Sequence, residues 1–182
     1  IQARIIFYQV VKCNGHRRIT ISHGNLHRYA YLLLQGPGQF KAEKLARAGQ
    51  AWAEKDNYFE ATAALQQAIE ADPEFFPSYF TLGELNLLEA ARVREDYRPN
   101  NAQEMELNAK ISQSFLRRAC EVFATGYPYY PQFPYSAMHA GTAFSEQHDF
   151  AAAEQWFSRA FKYGKATRRL HFQYGQHLIR QA

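Results

Sequence analysis

The stretch AIEADPEFFPSYFTLGEL, residues 68–85, contains the signals that decide the fold. A helical pattern runs to Asp72 and is stopped by Pro73. Pro77 opens the next helical pattern in its first turn, where the missing N–H of proline costs no hydrogen bond. Gly83 follows inside that second helix, although glycine there costs about 0.5–1 kcal/mol relative to alanine. Two helices that cross closely at a glycine are therefore predicted.

Glycines recur at one fixed distance along the chain. Gly49 and Gly83 are 34 residues apart, and so are Gly141 and Gly175. The contexts are similar: LARAGQAW, YFTLGELN, MHAGTAF and FQYGQHL. Small, large and small apolar residues follow the first and third glycines at offsets 12, 16 and 19, and these are Ala61, Leu65 and Ala68, then Ala153, Phe157 and Ala160. A 34-residue repeat of paired helices is predicted.

This pattern resembles the tetratricopeptide repeat, a 34-residue unit with a similar order of aromatic residues, glycine, alanines and proline. The resemblance covers about three quarters of the chain. It implies an all-α array of helical hairpins with about three and a half units. The units are expected at residues 42–75, 76–133 and 134–167, with a terminal helix at 168–182.

Unit 2 is longer than the others. Gly83 and Gly141 are 58 residues apart, 24 more than one repeat. If Ala119 corresponds to the last alanine of the other units, 17 of the extra residues fall inside the hairpin. Each helix is then extended by about two turns. The other 7 fall in TGYPYYPQF, residues 125–133, which is predicted to be a polyproline-like connector.

Residues 1–41 match no repeat and contain six Lys or Arg residues and no acidic residue. Asn14–Gly15 between β-branched runs predicts a β-hairpin, and a short helix is expected over residues 25–35. Partial disorder, part of an upstream domain, a basic arm and an organelle transit peptide are the other interpretations. The chain begins with Ile, so we expect a fragment or a processed product.

Charge is spread unevenly over the rest of the chain. Residues 42–106 contain six basic and thirteen acidic residues, whereas residues 107–182 contain nine basic and four acidic residues. Different faces are therefore expected to meet different neighbours. No apolar run approaches the roughly 20 residues of a membrane-spanning helix. Two cysteines are too few for a disulfide framework.

No signature of catalysis or metal binding emerges. One cysteine and three histidines lie close together in the sequence: Cys13, His16, His23 and His27. Their spacing matches no zinc motif, so the group is interpreted as incidental. The common hydrolase, zinc-protease and P-loop motifs do not occur. His148–Asp149 is predicted to form a turn between helices. We expect no enzyme activity, no cofactor and no metal.

The resemblance also implies a binding surface. In this family the first helix of each unit lines a concave face that binds a peptide or a helix. The predicted groove residues are Arg47, Gln50, Phe80, Glu84, Met138, His139, Thr142, Phe172, Gln173 and Gln176. Three of them share one repeat position and predict an apolar line: Phe80, Met138 and Phe172.

The expected function is that of a protein-interaction scaffold or adaptor, acting as a complex subunit or a homo-oligomer. One alternative is a regulatory or assembly tail of a larger enzyme whose catalytic part lies upstream. Another is a basic adaptor that binds RNA or an anionic surface through residues 1–41. The basic cluster at residues 162–171 is interpreted as a solvated or acid-binding face, not a nucleic-acid site. The sequence identifies neither the partner nor the compartment, for which the cytoplasm is the default expectation.

Overall fold

The computed structural model describes residues 37–95, 101–164 and 167–182. The elements in these ranges are helices: α1 Pro37–Ala53, α2 Tyr58–Ala71, α3 Phe76–Glu95, α4 Ala102–Gly126, α5 Pro134–Glu146, α6 Phe150–Tyr163 and α7 Arg168–Gln181, with a short 3-10 helix at Tyr127–Tyr129. The predicted β-hairpin, the helix expected at 25–35 and the Cys13–His27 group lie outside the described residues.

Consecutive helices pack as three hairpins, α1 with α2, α3 with α4 and α5 with α6, and α7 packs against the third. The predicted all-α array of helical hairpins is confirmed. Its first helix begins at Pro37 and not at residue 42, so residues 37–41 belong to α1. None of the helices in the described part of the chain is long and apolar enough to cross a membrane.

Short polar residues set where the second helices begin. Asn57 accepts a hydrogen bond from the Glu60 N–H at the start of α2, and Asp149 accepts one from the Ala152 N–H at the start of α6. Such side chains satisfy N–H groups that the first turn leaves without a partner. Residue His148, just before α6, has a left-handed backbone with φ 63°. The turn predicted at His148–Asp149 is thus confirmed.

The two helices of a unit pack closely at the repeated glycine. A Cβ atom on Gly49 would lie 2.7 Å from Cγ of Leu65. On Gly141 it would lie 3.0 Å from the ring of Phe157. The large apolar residue of the second helix therefore occupies the space that the glycine leaves, which is the steric reason for keeping a glycine inside a helix.

The structure corrects the register of unit 2. Over Gly83 lies Phe123, whose ring atoms would be 2.5 Å from an added Cβ. Ala119 precedes Phe123 by four residues and Gly126 follows it by three, the same spacing as Ala61, Leu65 and Ala68 in unit 1. Ala119 therefore corresponds to the first alanine of the other units and not to the last. All 24 extra residues consequently lie within the hairpin.

The helix lengths agree with this register. Helices α3 and α4 have 20 and 25 residues, compared with 13 and 14 in α5 and α6. The two long helices remain packed in the extended part, where the Ser112 hydroxyl donates a hydrogen bond of 3.0 Å to the carbonyl of Ala90. The extended hairpin that the sequence predicted is present, and it is longer than expected.

The prediction of a polyproline-like connector is wrong. Helix α4 continues to Gly126 and passes directly into the 3-10 helix Tyr127–Tyr129. Pro128 is accommodated because it lies in the first turn of the 3-10 helix, where its missing N–H is not needed. Gly126 is buried, and a Cβ atom there would overlap Cβ of Tyr79 on α3. This glycine is required by close packing within the hairpin.

Candidate partner-binding face

Helices α1, α3, α5 and α7 are the first helices of their units, and each contacts the next in this series. We call the surface that they form the A-helix face. All ten predicted groove residues lie on these four helices. What the structure adds is which of their side chains are accessible and which contact each other.

Glu84 on α3 and His139 on α5 are brought together. Nε2 of His139 lies 3.3 Å from Oε1 of Glu84. Burial, and to a smaller extent the charge of Arg169, lower the pKa of His139 to about 4. The imidazole is therefore neutral at physiological pH, and the contact is not an ion pair. Burial also raises the pKa of Glu84, while Arg169 opposes that rise.

Thr142 on α5 and Gln173 on α7 form the next contact of the A-helix face. The Thr142 hydroxyl lies 3.1 Å from the carbonyl of Met138 and 3.2 Å from Oε1 of Gln173. As a donor it can serve one of these acceptors at a time. The side-chain NH₂ group of Gln173 takes no part in this contact. Gln176, one turn further along α7, is half-buried.

A third polar contact was not predicted from the sequence. Glu146 at the end of α5 accepts from Arg94 of α3 at 2.8 Å and from Arg180 of α7 at 3.4 Å. The Glu146 side chain is mostly buried between the two arginines. The sequence offered one signal for this contact: Glu146 and Arg180 occupy the same position of the repeat, on α5 and on α7. The contribution of Arg94 is a contact between units 2 and 3, which a pattern read within one unit does not show.

Phe80 is less accessible than the predicted apolar groove requires. Its ring is half-buried among Phe76, Phe123, Phe133 and His139, at centroid distances of 6.1, 6.3, 5.1 and 5.8 Å. The ring packs partly against the hydrophobic core. Replacing Phe80 would therefore disturb packing as well as any contact with a partner.

Met138 and Phe172 differ sharply in exposure. Met138 is 1% exposed and belongs to the core, whereas Phe172 is 60% exposed. The structure therefore does not present Phe80, Met138 and Phe172 as one continuous exposed line. In unit 1, Arg47 pairs with Glu43 on the same helix, and Gln50 is exposed.

A Ser–His–Glu arrangement lies beneath the A-helix face. Nδ1 of His177 is 3.1 Å from the Ser145 hydroxyl, and Nε2 is 3.2 Å from Oε2 of Glu154. The residue types are those of a hydrolytic triad, but Ser145 and His177 have no exposed surface. A nucleophile must reach its substrate, so this network connects α5, α6 and α7 structurally. Within the described residues, no group of three or more metal-ligating side chains occurs.

Comparison with known proteins bears on the fold. No family model matches the chain, and no curated protein matches it. Among solved structures, the N-terminal domain of stress-induced protein-1 (STI-1) from C. elegans is similar, with a TM-score of 0.53 and 20% sequence identity. The match covers 79% of this chain and 98% of that domain. The fold is a tetratricopeptide-like helical array.

Proposed function

We propose that this protein is an interaction scaffold or adaptor that binds a peptide or a helix of a partner protein on the A-helix face. The observation that supports this function is a series of polar contacts that run across α3, α5 and α7. The contacts are Glu84–His139, Thr142–Gln173 and Arg94–Glu146–Arg180. Side chains that are already held in place lose little conformational entropy when a ligand binds.

The chemistry of the face suits an extended or helical segment. Gln173 and Gln176 can each donate and accept hydrogen bonds, which a peptide backbone or polar side chain can complete. Phe172 is exposed beside them and offers an apolar contact of the kind that anchors interfaces. Arg169 is exposed, and its charge acts on both Glu84 and His139. The face therefore combines hydrogen bonding, one aromatic anchor and a basic edge.

The experiment compares two pairs of glutamines. The full chain is used for affinity capture with quantitative mass spectrometry, alongside the variant Gln173→Ala, Gln176→Ala. The matched control is Gln66→Ala, Gln67→Ala, which removes two exposed glutamines from α2, a second helix of the repeat. We expect the first variant to reduce recovery of a specific partner by about tenfold, equivalent to about 1.4 kcal/mol.

Both variants should melt like the parent, because the four side chains lie outside the core clusters. Equal recovery of the same proteins by both variants would place the binding surface elsewhere. A loss confined to the α2 control would place it on the opposite side of the array.

A further inference from the structure

A cavity of about 160 Å³ lies between the third unit and α7. It is lined by Tyr135 and Met138 of α5, by Tyr163 at the end of α6 and by Leu170 of α7, among others. Met138 and Leu170 are buried, whereas Tyr135 is 38% and Tyr163 45% exposed. The cavity therefore leads from the core to the surface beside the two tyrosines.

The size and lining of this cavity suit one aromatic side chain. An apolar cavity of about 150 Å³ can hold a molecule of benzene. Aromatic rings pack favourably against other rings in edge-to-face or offset arrangements, and two tyrosines are available here. Met138 and Leu170 supply apolar contacts on the buried side. A phenylalanine ring in this cavity would therefore be largely removed from water, which is favourable.

The surface around the cavity is basic. Lys162 is exposed and lies over the ring of Tyr163, 5.1 Å from its centroid. Arg169, next to Leu170, is also exposed, and Glu84 of α3 offsets part of its charge. Among the described residues, neither Lys162 nor Arg169 forms an ion pair with a carboxylate. The stretches that surround the cavity contain no acidic residue, and these are residues 134–145, 155–163 and 167–182.

We propose that this cavity anchors an acidic segment of a partner protein through one phenylalanine side chain, with the acidic residues of that segment beside Lys162 and Arg169. The inference rests on the proposed function, because Tyr135, Met138 and Arg169 belong to helices of the A-helix face. Gln173 follows Arg169 by about one turn of α7. A segment held in the cavity can therefore continue along the residues of that function.

A protein segment suits this site better than a nucleic acid does. Binding to a phosphate backbone relies on several cations, whereas the cavity has two beside it. A second copy of the chain offers one acidic segment with a phenylalanine, DPEF at residues 72–75. Phe75 is half-buried in its own chain, so a folded copy does not present that ring freely.

The probe is a synthetic peptide with one phenylalanine at its centre and three acidic residues on each side. Both termini are blocked, so that recognition of a terminal carboxylate is excluded, and a fluorescein label is attached through a linker. One matched peptide has alanine in place of the phenylalanine. In another, asparagine and glutamine replace the acidic residues. Binding to the full chain is measured by fluorescence anisotropy.

Two double variants of the protein test the two parts of the site. Tyr135→Ala, Tyr163→Ala removes both rings from the opening of the cavity. Lys162→Gln, Arg169→Gln removes both charges beside it. Both variants should melt like the parent, because the four side chains lie outside the core clusters.

Each variant has a matched control elsewhere on the surface. Phe40→Ala, Phe59→Ala removes two rings of the first hairpin that are 50% and 77% exposed. Lys44→Gln, Arg117→Gln removes the same amount of charge from exposed positions of α1 and α4. Both controls should bind the peptide as tightly as the parent does.

We expect the acidic peptide to bind the parent with a Kd in the micromolar range. The alanine peptide and the tyrosine variant should each weaken binding more than tenfold, as loss of an interface anchor does. The uncharged peptide and the Lys162→Gln, Arg169→Gln variant should each weaken it severalfold, since each removes one side of the same attraction. The uncharged peptide should therefore not distinguish that variant from the parent.

Several results would overturn the proposal. The peptide fails to bind the folded parent, or the tyrosine variant binds it as tightly as the parent does. Equal binding of the charged and uncharged peptides would refute the acidic character of the ligand. A dimer that sediments with the parent and dissociates in the tyrosine variant would mean that a second copy fills the cavity. Single-stranded RNA that binds more tightly than the peptide, and is released by Lys162→Gln, Arg169→Gln, would assign the site to nucleic acid.

Failure of this proposal can be distinguished from failure of the proposed function. Peptide binding that requires the tyrosines, together with unchanged partner capture by Gln173→Ala, Gln176→Ala, would contradict the role of the glutamines and leave the cavity as the site. Reduced capture by the glutamine variant, together with no binding of the peptide, would support the A-helix face and overturn the cavity.

Discussion

His139 shows how packing changes the chemistry of one side chain. Its ring is stacked on Phe123 at a centroid distance of 6.1 Å and meets Phe80 edge-on at 5.8 Å. Only 13% of the side chain is exposed, so water stabilises the imidazolium poorly. Arg169 adds a repulsive charge. Glu84 faces it at 3.3 Å, and burial makes that carboxylate harder to ionise.

This environment predicts acid sensitivity. The unfolded chain binds a proton at His139 near the ordinary pKa of 6.5, and the folded chain only near 4. Between these values the unfolded state binds more protons, so stability decreases as pH falls through that window. Glu84 acts in the opposite sense, because its raised folded pKa favours the folded state at low pH and this contribution is lost as pH rises.

The measurement is the change in thermal midpoint between about pH 7 and about pH 5. We expect His139→Gln to lose less stability over that interval than the parent, because glutamine does not titrate. His171→Gln removes an exposed histidine of α7 and should retain the acid sensitivity of the parent. A parent and a His139→Gln variant with identical pH profiles would contradict the assignment.

At the scale of the helices, the prediction from sequence succeeded in the units where a repeated glycine is followed by apolar residues at the repeated offsets. Gly49 and Gly141 are each followed by small, large and small residues at equal offsets, and both hairpins form as expected. In unit 2 a lone alanine, Ala119, was used to set the register. The signal that could have corrected it was the pair of spacings Ala119–Phe123–Gly126, in which glycine takes the place of alanine.

The register of α4 can be tested by a double-mutant cycle. In the structure Phe123 lies over Gly83, whereas the register predicted from sequence places Leu116 there. Gly83→Ala should be destabilising, because its Cβ would meet the ring of Phe123 at 2.5 Å. Combined with Phe123→Leu it should show a coupling energy of about 0.5–3 kcal/mol in urea unfolding.

Leu116→Val is the comparison, since Leu116 is equally buried in α4. Its effect should add to that of Gly83→Ala within about 0.5 kcal/mol. If Gly83 were coupled to Leu116 and not to Phe123, the register predicted from the sequence would be correct and that of the structure wrong.

The candidate site was less predictable than the fold. Repeat position identified which residues lie on the first helices, but not which of them neighbouring helices cover. Met138 is buried in a core cluster that includes Leu170 of the following unit, and Phe80 is enclosed by aromatic rings from α4 and the residues before α5. The Phe80 contacts lie within unit 2, where the register of α4 was misplaced. The Met138 environment joins two units, and a pattern read within one unit cannot show it. Arg94, which belongs to the extension of α3, was missed for the same reason.

At the scale of the whole array, the contacts of α7 within the described residues are with α5 and α6. Stability in a repeat array is approximately the sum of unit and interface contributions, so a helix with few interfaces opens at a low free-energy cost. Polar contacts strengthen this last interface: His177 connects Ser145 of α5 with Glu154 of α6, and the Tyr174 hydroxyl donates to Glu154 at 2.9 Å. The A-helix face includes residues of α7, so its integrity depends on this interface.

His177→Ala should therefore release α7 before the rest of the array unfolds. The substitution leaves the buried Ser145 hydroxyl without its partner, which costs about 1–3 kcal/mol, and it opens a cavity beside Phe157 and Tyr174. Hydrogen exchange followed by mass spectrometry should show faster exchange in α7, with little change in α1 to α4. His171→Ala, on the exposed side of the same helix, should leave the exchange of α7 nearly unchanged.

Equal acceleration of hydrogen exchange in all helices of the His177→Ala variant would mean that the array unfolds as one cooperative unit. Unchanged protection of α7 would mean that apolar contacts such as Leu170 hold it without His177.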